Sequence, residues 1–211
     1  MSTSYIIAKH LLEIKAVQLR PEKPFQWASG WLSPIYCDNR LTLSYPEIRR
    51  QIKEGLLELI EEYYPKVEGI AGVATAGIPQ GTLLAEILNL PFVYIRSQSK
   101  DHGLENRVEG KVNPDQNFVV VEDLISTGKS SLSSANALKE QKAKIAGMVC
   151  VFTYELNEAK RNFDSAGIEL HPLLTYSELL EVALEEDYIS KKELELLRKW
   201  RENPAEWGRG G

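Results

Sequence analysis

The segment Phe118-Val119-Val120-Val121-Glu122-Asp123-Leu124-Ile125-Ser126-Thr127-Gly128-Lys129-Ser130-Ser131 constrains the fold more tightly than any other stretch of this chain. Four apolar, mostly β-branched residues predict a strand buried on both faces, as in parallel sheets covered by helices. Glu122 and Asp123 fall where that strand leaves the sheet, a hydroxyl and glycine loop follows, and Ser133 to Lys144 reads as a helix. The first N–H groups of a helix lack internal partners and carry the positive end of its dipole, so this turn makes a phosphate seat. Ser126, Thr127, Ser130 and Ser131 add hydroxyl donors, and small residues let the backbone approach an anion. The two carboxylates cannot serve the phosphate; they suit sugar hydroxyls or a magnesium ion carried in by the ligand. The expected ligand is therefore a ribose phosphate. Taken alone, an acid pair at a strand end is also a common solvated loop feature. Gly128-Lys129-Ser130 is not a nucleotide P-loop, because that motif needs a glycine five residues before Gly128, where Asp123 stands.

The rest of the chain repeats this logic. Apolar runs at Val67 to Val73, Phe92 to Arg96, Phe118 to Val121, Ile145 to Tyr154 and Ile168 to Leu173 predict strands, with helices over 78–88 and 130–144 between them. Alternating strands and helices imply an α/β fold with a parallel central sheet flanked by helices. Ligands bind such sheets beyond the carboxyl ends of the strands. A helix is expected over residues 5–15 and another from Ser44-Tyr45-Pro46-Glu47 to about Tyr63, where the pattern matches a capping box with an early proline. Thr175-Tyr176-Ser177-Glu178 and Ser190-Lys191-Lys192-Glu193 open two more helices in the same way. Asn203 to Gly211 reads as a tail packed by Trp200 and Trp207.

Two further loops fall at the carboxyl edge. Thr75-Ala76-Gly77-Ile78-Pro79 joins a strand to a helix through small residues and offers a second anion seat, or merely a tight turn. Residues 97–111 form a long polar loop with Lys100, Asp101, His102, Glu105, Arg107 and Glu109; it reads as an active-site lid or a solvated charged loop.

The acid-pair segment resembles the phosphoribosyl pyrophosphate signature of the type I phosphoribosyltransferases. Phe25-Gln26-Trp27-Ala28-Ser29-Gly30, Ser33-Pro34-Ile35-Tyr36-Cys37-Asp38-Asn39-Arg40 and Arg96-Ser97-Gln98-Ser99-Lys100-Asp101-His102-Gly103 narrow the likeness to the orotate phosphoribosyltransferases in their short bacterial form, over nearly the whole chain. The resemblance implies transfer of the phosphoribosyl group of phosphoribosyl pyrophosphate (PRPP) to orotate, giving orotidine monophosphate and pyrophosphate in pyrimidine (UMP) biosynthesis. It implies one phosphoribosyltransferase domain over 1–211: N-terminal helices and hood (1–64), α/β core (65–174), and C-terminal helices and tail (175–211). By the same likeness PRPP is held by Thr75, Ala76, Gly77, Arg96, Lys100, His102, Glu122, Asp123, Leu124, Ile125, Ser126, Thr127, Gly128, Lys129 and Ser130, with Mg2+ carried by PRPP near Glu122 and Asp123. Lys100, His102 and Asp123 are the implied catalytic residues. Ser126, Tyr36, Cys37 and Tyr154 are the implied orotate contacts. Lys100 and His102 are expected to act in the neighbouring subunit's site of a homodimer, on a flexible loop. The chain departs from the likeness at Ala28 and Ser97, where basic residues are usual, and near Tyr154, where an arginine is usual.

Composition excludes several other classes. The 211 residues are 43% hydrophobic and 26% charged with a net charge of −5, so no general attraction to nucleic acid is expected. A PRPP-sensing regulator of nucleic acids would need a basic face or an added helix-turn-helix. A purine phosphoribosyltransferase would share the acid-pair segment but not the Phe25 to Arg40 region. No apolar window approaches the roughly 18 residues of a membrane span. The two cysteines, Cys37 and Cys150, lie in unrelated segments, and Met1 to Ala8 lacks a secretory pattern, so a cytoplasmic protein with reduced thiols is expected. His10 and His171 show no metal-ligand spacing.

Overall fold

A computed structural model describes residues 2–27, 30–97 and 107–207. Helix α1 (Thr3–Glu13) is followed by the short strands β1 (Val17–Leu19), β2 (Phe25–Gln26), β3 (Leu32–Ser33) and β4 (Ile35–Cys37), a 3-10 turn at Asn39–Ser44 and helix α2 (Pro46–Tyr63). Then come β5 (Gly69–Val73), α3 (Gly77–Leu88), β6 (Phe92–Ile95), β7 (Val108–Glu109), β8 (Asn117–Ile125), α4 (Lys129–Glu140), β9 (Lys144–Thr153), α5 (Asn157–Ala166), β10 (Leu170–Thr175), α6 (Tyr176–Glu185) and α7 (Lys191–Glu202).

The main sheet runs β10–β9–β8–β5–β6–β7, parallel except for β7. Strand residues alternate between its faces as pleating requires. Val119 and Val121 of β8 enter a core shared with α1, α2, α6 and α7, whereas Phe118 and Val120 enter the opposite core under α4 and α5. Cys150 belongs to the second core and is fully buried, as its apolar strand implied. The chain leaves β5 for β6 on one side and places β8 on the other. The strand order therefore reverses between β5 and β8, and a crevice opens outside their carboxyl ends.

Several elements differ from expectation. Ser44 closes the 3-10 turn, Tyr45 is the N-cap of α2, and no side chain caps it; Pro46 alone marks that start. Strand β8 extends through Ile125, so the acid pair lies inside it. Helix α4 stops at Glu140 because Lys142 adopts a left-handed backbone, φ 63°, and Lys144 already belongs to β9. Helix α5 was not anticipated. Trp200, expected to pack the tail, is fully buried in the core: Trp27, Tyr154 and Tyr176 surround it at ring-centre distances of 5.6, 5.8 and 5.5 Å. This aromatic group pins the β2–β3 hairpin to α7. Both C-terminal capping boxes form as expected, at Thr175 with Glu178 and at Ser190 with Glu193.

Candidate active site

The crevice between β5 and β8 holds a cleft of about 460 Å³ lined by Thr75, Ala76, Glu122, Asp123, Leu124 and Ser130, with Cys37, Asp38 and Arg40 on one side and Arg107 and Ser133 on another. Both expected anion loops thus meet at one place. Close packing between them explains the glycine at the start of α3: a Cβ on Gly77 would strike the Val121 carbonyl, so only glycine lets this turn sit against β8. The peptide Ala74–Thr75 in that turn is cis.

Glu122 is nearly dry and Asp123 is half-buried at the cleft. Glu122 is 6% exposed; it accepts a hydrogen bond from Ser131 Oγ at 2.9 Å and one from the Asp123 N–H at 3.1 Å. Burial, reinforced by the Asp123 carboxylate, pushes Glu122 up to about 8. Burial also raises Asp123, against the pull of nearby hydrogen bonds and Arg40. Two carboxylates with so little compensating charge form a site that favours hydroxyl donors or a cation. Asn39 secures the strand beneath them, its Nδ2 donating to the Asp123 carbonyl at 2.7 Å.

The turn after β8 has the open backbone that a close anion would need. Gly128 is the N-cap of α4 at φ 77°, a left-handed conformation that glycine adopts without strain. Helix α5 braces the turn from outside: Asn162 Nδ2 donates to the Thr127 carbonyl at 2.8 Å, and the Phe163 ring fills the space beside Gly128. Ser126 and Thr127 are half-buried in the turn, and Ser130 opens onto the cleft. Ile125 contributes backbone only, since its side chain is core and its carbonyl accepts from the Tyr154 N–H at 3.0 Å. Lys129 points away to Glu158 at 2.6 Å and is 71% exposed.

Other expected residues divide. Cys37 reaches the cleft, and burial drives its thiol well above the ordinary range, which leaves it no nucleophilic thiolate. Tyr36 packs instead against Phe25 at 5.6 Å. Tyr154 is 2% exposed and sits 5.0 Å from Trp27 in the aromatic group, so the fold does not bring its ring to the cleft as an orotate contact. Arg96 lies 3.7 Å from Glu109 beside the cleft. Lys100 and His102 lie outside the described residues. Arg107, Asn39 and Asn162 were given no site role on sequence grounds, although Asn39 stands in a segment that carries the family likeness.

Among the described residues, no group of three or more histidine, cysteine or acidic side chains could cage a metal. Glu122 and Asp123 nevertheless fit magnesium, whose usual protein share is one or two carboxylates while substrate phosphates and water fill the remaining positions.

Comparison with known proteins agrees with this geometry. A family model described as "Phosphoribosyl transferase domain" matches residues 43–168. The chain is 56% identical over 207 residues to the orotate phosphoribosyltransferase of Lactococcus lactis subsp. lactis, covering 98% of this chain and 99% of that one. It is 55% identical over 201 residues to that of Cytophaga hutchinsonii, covering 95% and 96%. The crystal structure of orotate phosphoribosyltransferase from Aeropyrum pernix superposes with a TM-score of 0.76 at 27% identity, covering 87% of this chain and 99% of that chain. With the acid pair and both anion loops assembled at the strand switch and likeness running end to end, this chain belongs to the orotate phosphoribosyltransferase family, with the type I phosphoribosyltransferase fold.

Proposed function

We propose that the protein transfers the phosphoribosyl group of PRPP to the ring nitrogen of orotate, releasing pyrophosphate and giving orotidine monophosphate for pyrimidine biosynthesis. The observation that carries this reading is the acid pair, buried Glu122 and half-buried Asp123, between two small-residue helix starts in a single cleft. One seat takes the 5′-phosphate through the amides of residues 126–130, and the other, Thr75 to Gly77, takes the pyrophosphate. Glu122 and Asp123 hold the ribose hydroxyls between them. Glu122 and Asp123 would also help hold Mg2+ brought by PRPP, which would supply charge neutralisation for the pyrophosphate. The sugar becomes cationic in the transition state, so the residues position the anomeric carbon, shield it from water and steady the leaving group. No covalent nucleophile is needed.

The finer reading gives Arg96, Lys100 and His102 the departing pyrophosphate, with Lys100 and His102 supplied by the neighbouring chain of a homodimer, and Ser126, Cys37 and the backbone of Tyr36 the base. The one-domain division at 1–64, 65–174 and 175–211, and work in the cytoplasm without nucleic acid or membrane, complete it. The free thiols Cys37 and Cys150 support a reducing compartment. Incubation with PRPP, magnesium and separate bases tests the reaction: loss of orotate absorbance is expected, and consumption of a purine or of no base overturns it. Mixing Lys100→Ala chains with Asp123→Asn chains tests the shared site: activity returns in mixed dimers, and proven mixed dimers that stay inactive refute it.

A further inference from the structure

We propose that Arg40 is the specificity residue of the base pocket: its guanidinium receives the carboxylate that separates orotate from neutral pyrimidines. The inference rests on the function proposed above and deepens it. Orotate is planar and anionic, and a buried anion needs a matched donor pair or it binds poorly. Among the described residues, the cations lining the cleft are Arg40 and Arg107. Arg107 has three of its five donors taken on the α4 side, against two on Arg40: its Nε donates to the Arg96 carbonyl at 3.1 Å, and its Nη1 donates to Ser133 Oγ at 2.9 Å and to the Ser133 carbonyl at 3.3 Å.

Arg40 stands on the other wall, next to Asn39, which grips the Asp123 backbone at 2.7 Å, and three residues after Cys37. Its guanidinium is fixed but not used up. Asp38 accepts from Nε at 2.6 Å and from Nη2 at 2.9 Å, and also from the Arg40 backbone N–H at 3.2 Å, where it caps the 3-10 turn. An arginine has five N–H donors, so both Nη1 hydrogens and one on Nη2 remain, on an edge shaped for a second carboxylate. The side chain is 64% exposed, so that edge is accessible. A fork oriented beforehand loses little freedom when the ligand arrives. The plain alternative is an exposed Asp38–Arg40 ion pair of minor value.

Orotidine monophosphate and uridine monophosphate share ribose and phosphate and differ by one carboxylate, so their dissociation constants separate the two readings. The wild-type chain should prefer orotidine monophosphate. In Arg40→Gln that preference should fall by roughly 10- to 100-fold, the span of one charge-assisted contact, while uridine monophosphate affinity stays within about twofold. Arg40→Lys should lie between, since lysine keeps the charge but not the fork. Retained uridine monophosphate binding shows that the variant is folded. Equal loss for both nucleotides, loss for neither, or an Arg40→Gln chain that binds neither overturns the assignment of Arg40 while leaving the proposed reaction standing. A wild-type chain that binds neither overturns both.

Discussion

Replacing Gly128 by alanine tests whether the phosphate turn is held from behind by α5. At φ 77° the new residue would be left-handed, which costs about 1–2 kcal/mol for an L side chain. Its Cβ would also stand 2.6 Å from Phe163 Cε2 and 3.1 Å from Cδ2. Phe163 is 5% exposed and packed in the core under α4 and α5, although it also borders a cavity of about 430 Å³ beside Ala159 and Ile168, so displacing the ring against its packed side adds about 1–3 kcal/mol. Together these give about 2–5 kcal/mol, a drop in Tm on the order of 10 °C for a chain of this size. Because the displaced backbone is the proposed anion seat, kcat/KM for PRPP should fall at least tenfold. Phe163→Leu in the same chain removes the ring overlap but not the backbone term. Thermal unfolding and PRPP kinetics of the two single variants and the double variant form a cycle whose coupling should be about 1–3 kcal/mol in favour of the double. Strictly additive effects would refute the bracing of Gly128 by Phe163.

Asn162→Ala removes the 2.8 Å bond to the Thr127 carbonyl, a loss of about 1 kcal/mol, and should raise KM for PRPP on the order of fivefold with KM for orotate little changed; steady-state kinetics in which the two constants rise together would contradict this. Glu122, pushed up to about 8, stabilises the ligand-free fold fully below the unfolded value near 4.5, and that stability is lost as pH rises through about 8. Glu122→Gln cannot titrate, so its Tm should fall less than wild type between pH 5 and pH 8; calorimetry showing parallel curves would remove the raised carboxyl from the account. PRPP binding should likewise ionise the pair, so calorimetric titration at pH 7 in buffers of different ionisation enthalpy should register proton release, and a buffer-independent heat would argue against it.

The β8 to α4 segment was legible because three local signals coincide there: a β-branched run, an acid pair and a small-residue turn before a helix. Sequence placed the acids at the end of the strand, but β8 continues to Ile125 because β9 supplies pairing partners through Thr153. Such pairing between distant segments has no local signature. Helix α5 escaped notice for a related reason. Leu156 gives it no side-chain cap, its buried residues are only Ala159 and Phe163, and its main clue was Gly167 at its C-terminal end. Yet α5 is what braces the turn proposed to seat the phosphate. Tyr154 shows the opposite case: family likeness points to the base pocket, whereas its ring lies in the core against the indoles of Trp27 and Trp200. Arg40 was visible as a residue but not as a site, since its significance lies in which wall of the cleft it occupies.

The central claim is that Glu122 and Asp123 bind a pentose while the amides of the turn through Gly128 bind its phosphate. A crystal structure of the protein with orotidine monophosphate tests this most directly. The account predicts carboxylate oxygens of the pair within about 3 Å of the 2′- and 3′-hydroxyls, and phosphate oxygens at similar distance from backbone N–H groups of residues 126–130. A nucleotide bound with its ribose away from the acid pair, or its phosphate on another loop, would contradict it.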